Sequence, residues 1–147
     1  MKKQIYSSQD MMDFGSRLGA ELRGGEVFIL TGDVGAGKTV LTKGIARGLG
    51  VNEDVQSPTF TISRVYDARD GLSLLHYDFY RLNEAGIMKD ELREALDDDK
   101  KVVVIEWSDI VESIIPERAR HISIIPVAET TRELVIDNDI PKGDIRS

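Results

Sequence analysis

The chain contains no cysteine, which excludes disulfides, thiolate catalysis and sulfur-ligated metals. It has no apolar run approaching the roughly 20 residues that a bilayer-spanning helix needs. Its first residues, Met1 to Ser8, are basic but lack the apolar stretch of a signal peptide, so the expected location is the cytoplasm. A basic face is missing as well. The 26 acidic residues outnumber 19 Lys and Arg, the net charge is −7, and Lys and Arg cluster nowhere. Tight unaided grip on nucleic acid depends on neutralising phosphates, so any role near RNA is expected to run through a partner protein. With two histidines and no thiol, a zinc site has too few ligands, and His76 reads as a satisfied strand residue.

The 147 residues and 41% apolar content suit one domain with a proper core. There is no internal repeat or low-complexity linker, so a single domain is expected over residues 1–137, with a polar tail at 138–147.

The most informative segment is Gly32-Asp33-Val34-Gly35-Ala36-Gly37-Lys38-Thr39, a G-x-x-x-x-G-K-[ST] pattern. An apolar run, Val27 to Leu30, precedes it as a buried strand. Val40, Leu41, Ile45 and Leu49 follow it with the spacing of a helix having one apolar side. Strand, glycine loop and helix N-terminus in that order make a phosphate cradle. Glycines let the backbone wrap a polyanion and aim N–H groups at it. Lys38 is expected on the β- and γ-phosphates and the Thr39 hydroxyl on Mg²⁺. No Asn-Lys-x-Asp guanine signature occurs, so ATP is expected in preference to GTP.

Around that core the pattern predicts a strand at Lys3–Tyr6 and a helix through Met11, Phe14, Leu18 and Leu22, capped by Ser8 and stopped by Gly24-Gly25. An antiparallel hairpin is predicted from strands at 60–66 and 72–78, and a short helix over 90–96. Val102 to Ile105 reads as a central parallel strand covered on both faces. A second amphipathic helix over 110–115 and strands at 121–125 and 132–136 complete the set. The expected fold is α/β: a mainly parallel, P-loop NTPase-like sheet with an antiparallel hairpin, flanked by helices. Ligands of such sheets bind outside the carboxyl ends of the strands, where the glycine loop and Glu106 both fall.

A phosphate site of this kind needs an acidic group at the end of a second strand. Glu106 closes the most apolar strand and is the choice for the metal. Asp78 is then free to orient or deprotonate the attacking water, or else it caps a helix at Phe79–Leu82. Thr59, in the loop Ser57-Pro58-Thr59, is either a γ-phosphate sensor or part of an ordinary turn. Trp107 belongs to the core, the nucleotide or a partner surface.

Taken together, Gly32 to Thr39, Ser57-Pro58-Thr59-Phe60, His76-Tyr77-Asp78-Phe79-Tyr80-Arg81 and Ile105-Glu106-Trp107 resemble the TsaE (YjeE) family. These are small bacterial ATPases of the tRNA threonylcarbamoyladenosine pathway. The resemblance implies ATP and Mg²⁺ as cofactors and a weak hydrolysis coupled to partners TsaD and TsaB, with tRNA touched only indirectly and no membrane. It implies Lys38 and Thr39 as phosphate and Mg²⁺ residues, Glu106 as the second Mg²⁺ residue, and Asp78 as needed for hydrolysis. It further implies Arg132 beside the adenine and the segment Ser7 to Asp10, with Ser8 and Asp10, at the nucleotide's edge. The segment Asn83 to Met88 departs from the family's usual pattern.

Overall fold

The structure is a computed structural model, described here for residues 1–33, 35–55, 63–79 and 86–137. Seven strands form one sheet: β1 (Lys2–Ile5), β2 (Val27–Thr31), β3 (Ser63–Asp67), β4 (Ser73–Asp78), β5 (Lys101–Glu106), β6 (Arg120–Pro126) and β7 (Arg132–Asp137). The helices are α1 (Ser8–Ala20), α2 (Lys38–Gly48) and α3 (Ile87–Leu96).

The order across the sheet is β1-β7-β6-β2-β5-β4-β3. The four central strands, β6, β2, β5 and β4, run parallel; β3 pairs antiparallel with β4 at one edge, and β7 pairs antiparallel with both β6 and β1 at the other. The parallel centre follows from the sequence. Phe28, Leu30, Val102, Val103, Val104 and Ile105 are all buried, as strands covered on both faces require. The predicted β3–β4 hairpin is present. Two further antiparallel pairings, β6 with β7 and β7 with β1, add to it.

Alternation along each strand sorts the core into two layers. Phe28, Leu30, Leu74, Val102 and Val104 pack with Leu41 and Ile45 of α2, with Leu49 just past its end, and with Met11 of α1. On the other face Ile29, Leu75, Tyr77, Val103 and Ile105 pack with Leu92, Ala95 and Leu96 of α3. Helix α1 lies against α2 through glycines. A Cβ on Gly19 would run into the Ile45 carbonyl, and one on Gly48 into the Ser16 carbonyl. The most buried stripe of α1 is therefore Met11, Gly15 and Gly19, while Phe14 and Leu18 are only half-buried.

Several boundaries differ from the sequence reading. The cap of α1 is Ser7, whose hydroxyl accepts from the Asp10 amide at 3.1 Å, and Ser8 is the first helical residue. Ser7 has the extended backbone that a cap requires, at φ −160°. Helix α1 ends at Ala20, ahead of Gly24-Gly25. The expected helix over 110–115 is a 3₁₀ segment, Ser108–Ile114. Squeezed between the end of β5 and Pro116, it has too few residues for a cooperative α-helix. Helix α3 starts at Ile87, three residues earlier than predicted. Residues 60–62 of the first hairpin strand, the Asp78 cap segment beyond Phe79 and the 138–147 tail lie outside the described residues.

Candidate functional site

The loop between β2 and α2 is built for an anion. Gly35 and Gly37 have φ of 85° and 118°, a region L side chains rarely adopt. Gly37 is the N-cap of α2 and supplies no side-chain acceptor. The first N–H groups of α2 therefore have no side-chain cap, and the positive end of the helix dipole meets the loop.

Lys38 carries the decisive electrostatics. Its side chain is buried, its Nζ donates to the Gly32 carbonyl, and it sits 4.4 Å above the centre of the Trp107 ring. Neither contact bears a formal negative charge. Among the described residues Lys38 makes no ion pair. A buried cation without a counter-charge is costly, and an incoming phosphate removes that cost. Thr39 and Val40 follow on the same turn, half-buried.

The carboxylates stand beside this loop at the carboxyl ends of β4 and β5. Glu106 pairs with Leu30 of β2 on one side and with Asp78 of β4 on the other. Adjacent parallel strands hold register partners about 4.8 Å apart, so the two acids are neighbours on the α2 face of the sheet. Glu106 is buried and its Oε2 lies 2.6 Å from His76 Nε2, whereas Asp78 is half-exposed. Trp107 turns the chain sharply with φ 57° and ψ 59°. For a bulky side chain that costs about 1–3 kcal/mol. The kink places the indole beneath the Lys38 ammonium.

Next to the loop a cleft of about 510 Å³ opens, within the range of small-ligand sites. Tyr6, Ser8, Met11, Val40, Thr130 and Arg132 line it together with Gly35, Ala36 and Gly37. Arg132 Nε donates to the Ala36 carbonyl at 3.2 Å, and its Nη1 donates to the Ala128, Glu129 and Thr131 carbonyls. This tethers the glycine loop to the start of β7.

The profile of the threonylcarbamoyl adenosine biosynthesis protein TsaE matches residues 5–134. The chain belongs to the TsaE family.

Relatives agree. A TsaE protein of Treponema pallidum is 39% identical over 130 residues, 88% of this chain and 95% of the relative. One from Streptomyces coelicolor is 41% identical over 112 residues, 75% of this chain and 76% of the relative. The crystal structure of Bacillus subtilis YdiB superposes with a TM-score of 0.75 at 31% identity, covering 92% of this chain and 83% of YdiB. The P-loop α/β fold expected from the sequence is thus the fold of a TsaE-family relative.

The sequence-derived residues separate into three groups. Lys38, Asp78, Glu106 and Trp107 gather at the ends of β2, β4 and β5, and Thr39 follows Lys38 on the first turn of α2. Gly35, Ala36, Gly37, Val40, Ser8 and Arg132 line the neighbouring cleft, while Asp33 is exposed on the loop. Asp10 does not line it; its carboxylate accepts from the Tyr6 amide at 3.0 Å and helps close the start of α1. Val34 and Thr59 lie outside the described residues. Sequence reasoning missed Tyr6 and Met11 in the cleft and the His76 partner of Glu106. Period-two spacing carried the last signal, since 74, 76 and 78 share one strand face.

Mg²⁺ on such a loop takes most of its ligands from phosphates and water. No group of three His, Asp or Glu capable of holding a metal occurs among the described residues. No described helix is long and apolar enough to cross a membrane.

Proposed function

We propose that the chain is a Mg²⁺-dependent ATPase that works with TsaD and TsaB in the threonylcarbamoyl modification of the adenosine beside the tRNA anticodon. It is not itself the transferase. The observation that carries the reading is the buried Lys38 ammonium at the mouth of a glycine loop, without a carboxylate partner among the described residues. The pathway is supported by family membership and by the relatives' names.

The phosphates would lie across the backbone from Asp33, Val34 and Gly35 through Ala36 and Gly37 to Lys38, Thr39 and Val40. Lys38 would swing from the Gly32 carbonyl and the Trp107 face to the β- and γ-phosphates. Thr39 and Glu106 would hold Mg²⁺, which neutralises phosphate charge when bound. Asp78, beside Glu106 and better exposed, would orient or deprotonate the attacking water. Thr59 would report on the γ-phosphate. Ser8, Asp10, Arg132 and Trp107 would border the nucleoside, and the cleft beside the loop supports the first and third of these.

The net charge of −7 supports docking on proteins in the cytoplasm, with tRNA reached only through them. Hydrolysis alone should be slow, as a partner-coupled ATPase requires. ATP turnover measured with and without the TsaD–TsaB complex tests this. Stimulation by the complex is expected; equal and brisk rates in both would refute the coupling.

A further inference from the structure

One polar side chain on the α2 face has no part in the function proposed above. His76 is fully buried in β4, in register with Val104 and two positions short of Asp78. Its Nε2 lies 2.6 Å from Glu106 Oε2, and its Nδ1 is buried without a hydrogen-bond partner. We propose that His76 is a positioning residue: it donates Nε2–H to Oε2, locks the Glu106 rotamer and turns Oε1 toward the cation that accompanies ATP. The inference rests on the assignment of Glu106 to Mg²⁺.

The tautomer follows from the surroundings. A neutral imidazole carries one N–H, and the carboxylate at Nε2 takes it. A bare Nδ1 is then an unfilled acceptor. The opposite tautomer would set two acceptors against each other at Nε2 and bury an N–H without a partner at Nδ1. Leu74 and Val104, both fully buried neighbours, keep the ring from swinging away.

The contact also explains why Glu106 and Lys38 do not neutralise each other. Both belong to the loop end of the sheet, both are buried, and they form no ion pair. A glutamate has three rotatable bonds, and a nearby ammonium would draw a free carboxylate. Held through Oε2, Glu106 makes no other side-chain hydrogen bond among the described residues, which leaves Oε1 for a cation or its water. The histidine thus keeps a positive and a negative group available for phosphate and metal separately.

Two amides test the contact. In His76→Gln the side-chain NH₂ reaches the place of Nε2; in His76→Asn it stops at the place of Nδ1. Calorimetry gives ATP affinity with Mg²⁺ and in chelator, and the ratio reads the metal's contribution. His76→Asn should lower that ratio about tenfold, His76→Gln should keep it within about twofold, and affinity in chelator should stay within about twofold for both. A ratio unchanged in His76→Asn, or an equal loss with and without Mg²⁺, overturns the inference. Glu106→Gln separates the premises. If it leaves the ratio unchanged, the metal assignment falls and this inference with it. If it lowers the ratio while His76→Asn does not, only the inference falls. Should His76→Asn not fold, nitrogen NMR of the unsubstituted chain decides, since only His76 and His121 contribute. Protonated Nε2 on His76 is expected, and a bare Nε2 overturns the proposal.

Discussion

The two faces of β4 and β5 carry the same strands to different ends. Toward α3, Leu75, Tyr77, Val103 and Ile105 stay buried up to the last turn of the sheet. Toward α2, Leu74, Val102 and Val104 give way to His76, Asp78 and Glu106 as the strands reach their carboxyl ends. One face is packing throughout; the other changes from apolar to polar side chains within two residues. Because side chains alternate, a strand can supply both without either disturbing the other. The difference also makes the face a measurable variable. Substitutions toward α3 should cost stability alone, and substitutions toward α2 near the loop should cost binding.

The largest stability effect is expected on the α3 face. Leu92 is fully buried there, and Leu92→Ala should destabilise by about 3 kcal/mol through lost burial and the cavity left behind. At this chain length that is a fall of about 6–12 °C in the melting temperature. ATP affinity of the folded protein should remain within about twofold. A matching loss of affinity would break the separation of the faces.

Lys38→Ala is the converse. Removing a charge-assisted contact should weaken ATP about a hundredfold. The melting temperature should hold or rise, because a buried cation without a carboxylate partner among the described residues is removed. A clear drop in melting temperature would mean that the ammonium serves the fold. Glycines refine the contrast. Gly19→Ala forces a methyl into the Ile45 carbonyl, with an expected cost of about 1–3 kcal/mol and no change in nucleotide affinity. Gly37→Ala strains the backbone at φ 118° for about 1–2 kcal/mol, and should in addition weaken ATP at least tenfold because it moves the cradle. Thermal melts and calorimetry on the same four variants measure both quantities.

Much of this was legible in the chain. The Val102–Ile105 run identified the central strand, since only burial on both faces tolerates four consecutive apolar residues. The glycine loop was expected between a buried strand and a helix, where β2 and α2 hold it, and the order of motifs identified the family. What stayed hidden depended on contacts between distant segments. Gly15 and Gly19 carry no apolar signal, so the periodicity pointed to Phe14 and Leu18 while the helix is seated on its glycines. Ser7 and Ser8 are indistinguishable as caps until the backbone shows which one is extended. The His76–Glu106 bond joins residues 30 apart and needs the β4–β5 register before it can be seen. The β1–β7 pairing was invisible for the same reason, because its partners lie at opposite ends of the chain, whereas β6 and β7 are consecutive strands whose antiparallel pairing the sequence reading left unstated.

The smallest expected effect tests whether the α3 face is as inert as its packing suggests. Tyr77 lies in that core, stacked on Phe79 at a centroid distance of 5.8 Å. Burial holds its phenol above the ordinary value of 10.0, and the Glu91 carboxylate pushes the same way. The unfolded chain therefore releases this proton before the folded one does. Tyr77 costs nothing in stability below about pH 10, and its contribution is lost as pH climbs from there through the raised folded value. Tyr77→Phe keeps the ring in the core and removes the titration. Denaturant midpoints of the two proteins should shift equally between pH 7 and pH 9, whereas above about pH 10 the parent should fall faster. Parallel decline would trace the alkaline instability to other groups. Hydrolysis of ATP, expected to depend on the opposite face, should show no separate response to the substitution at neutral pH.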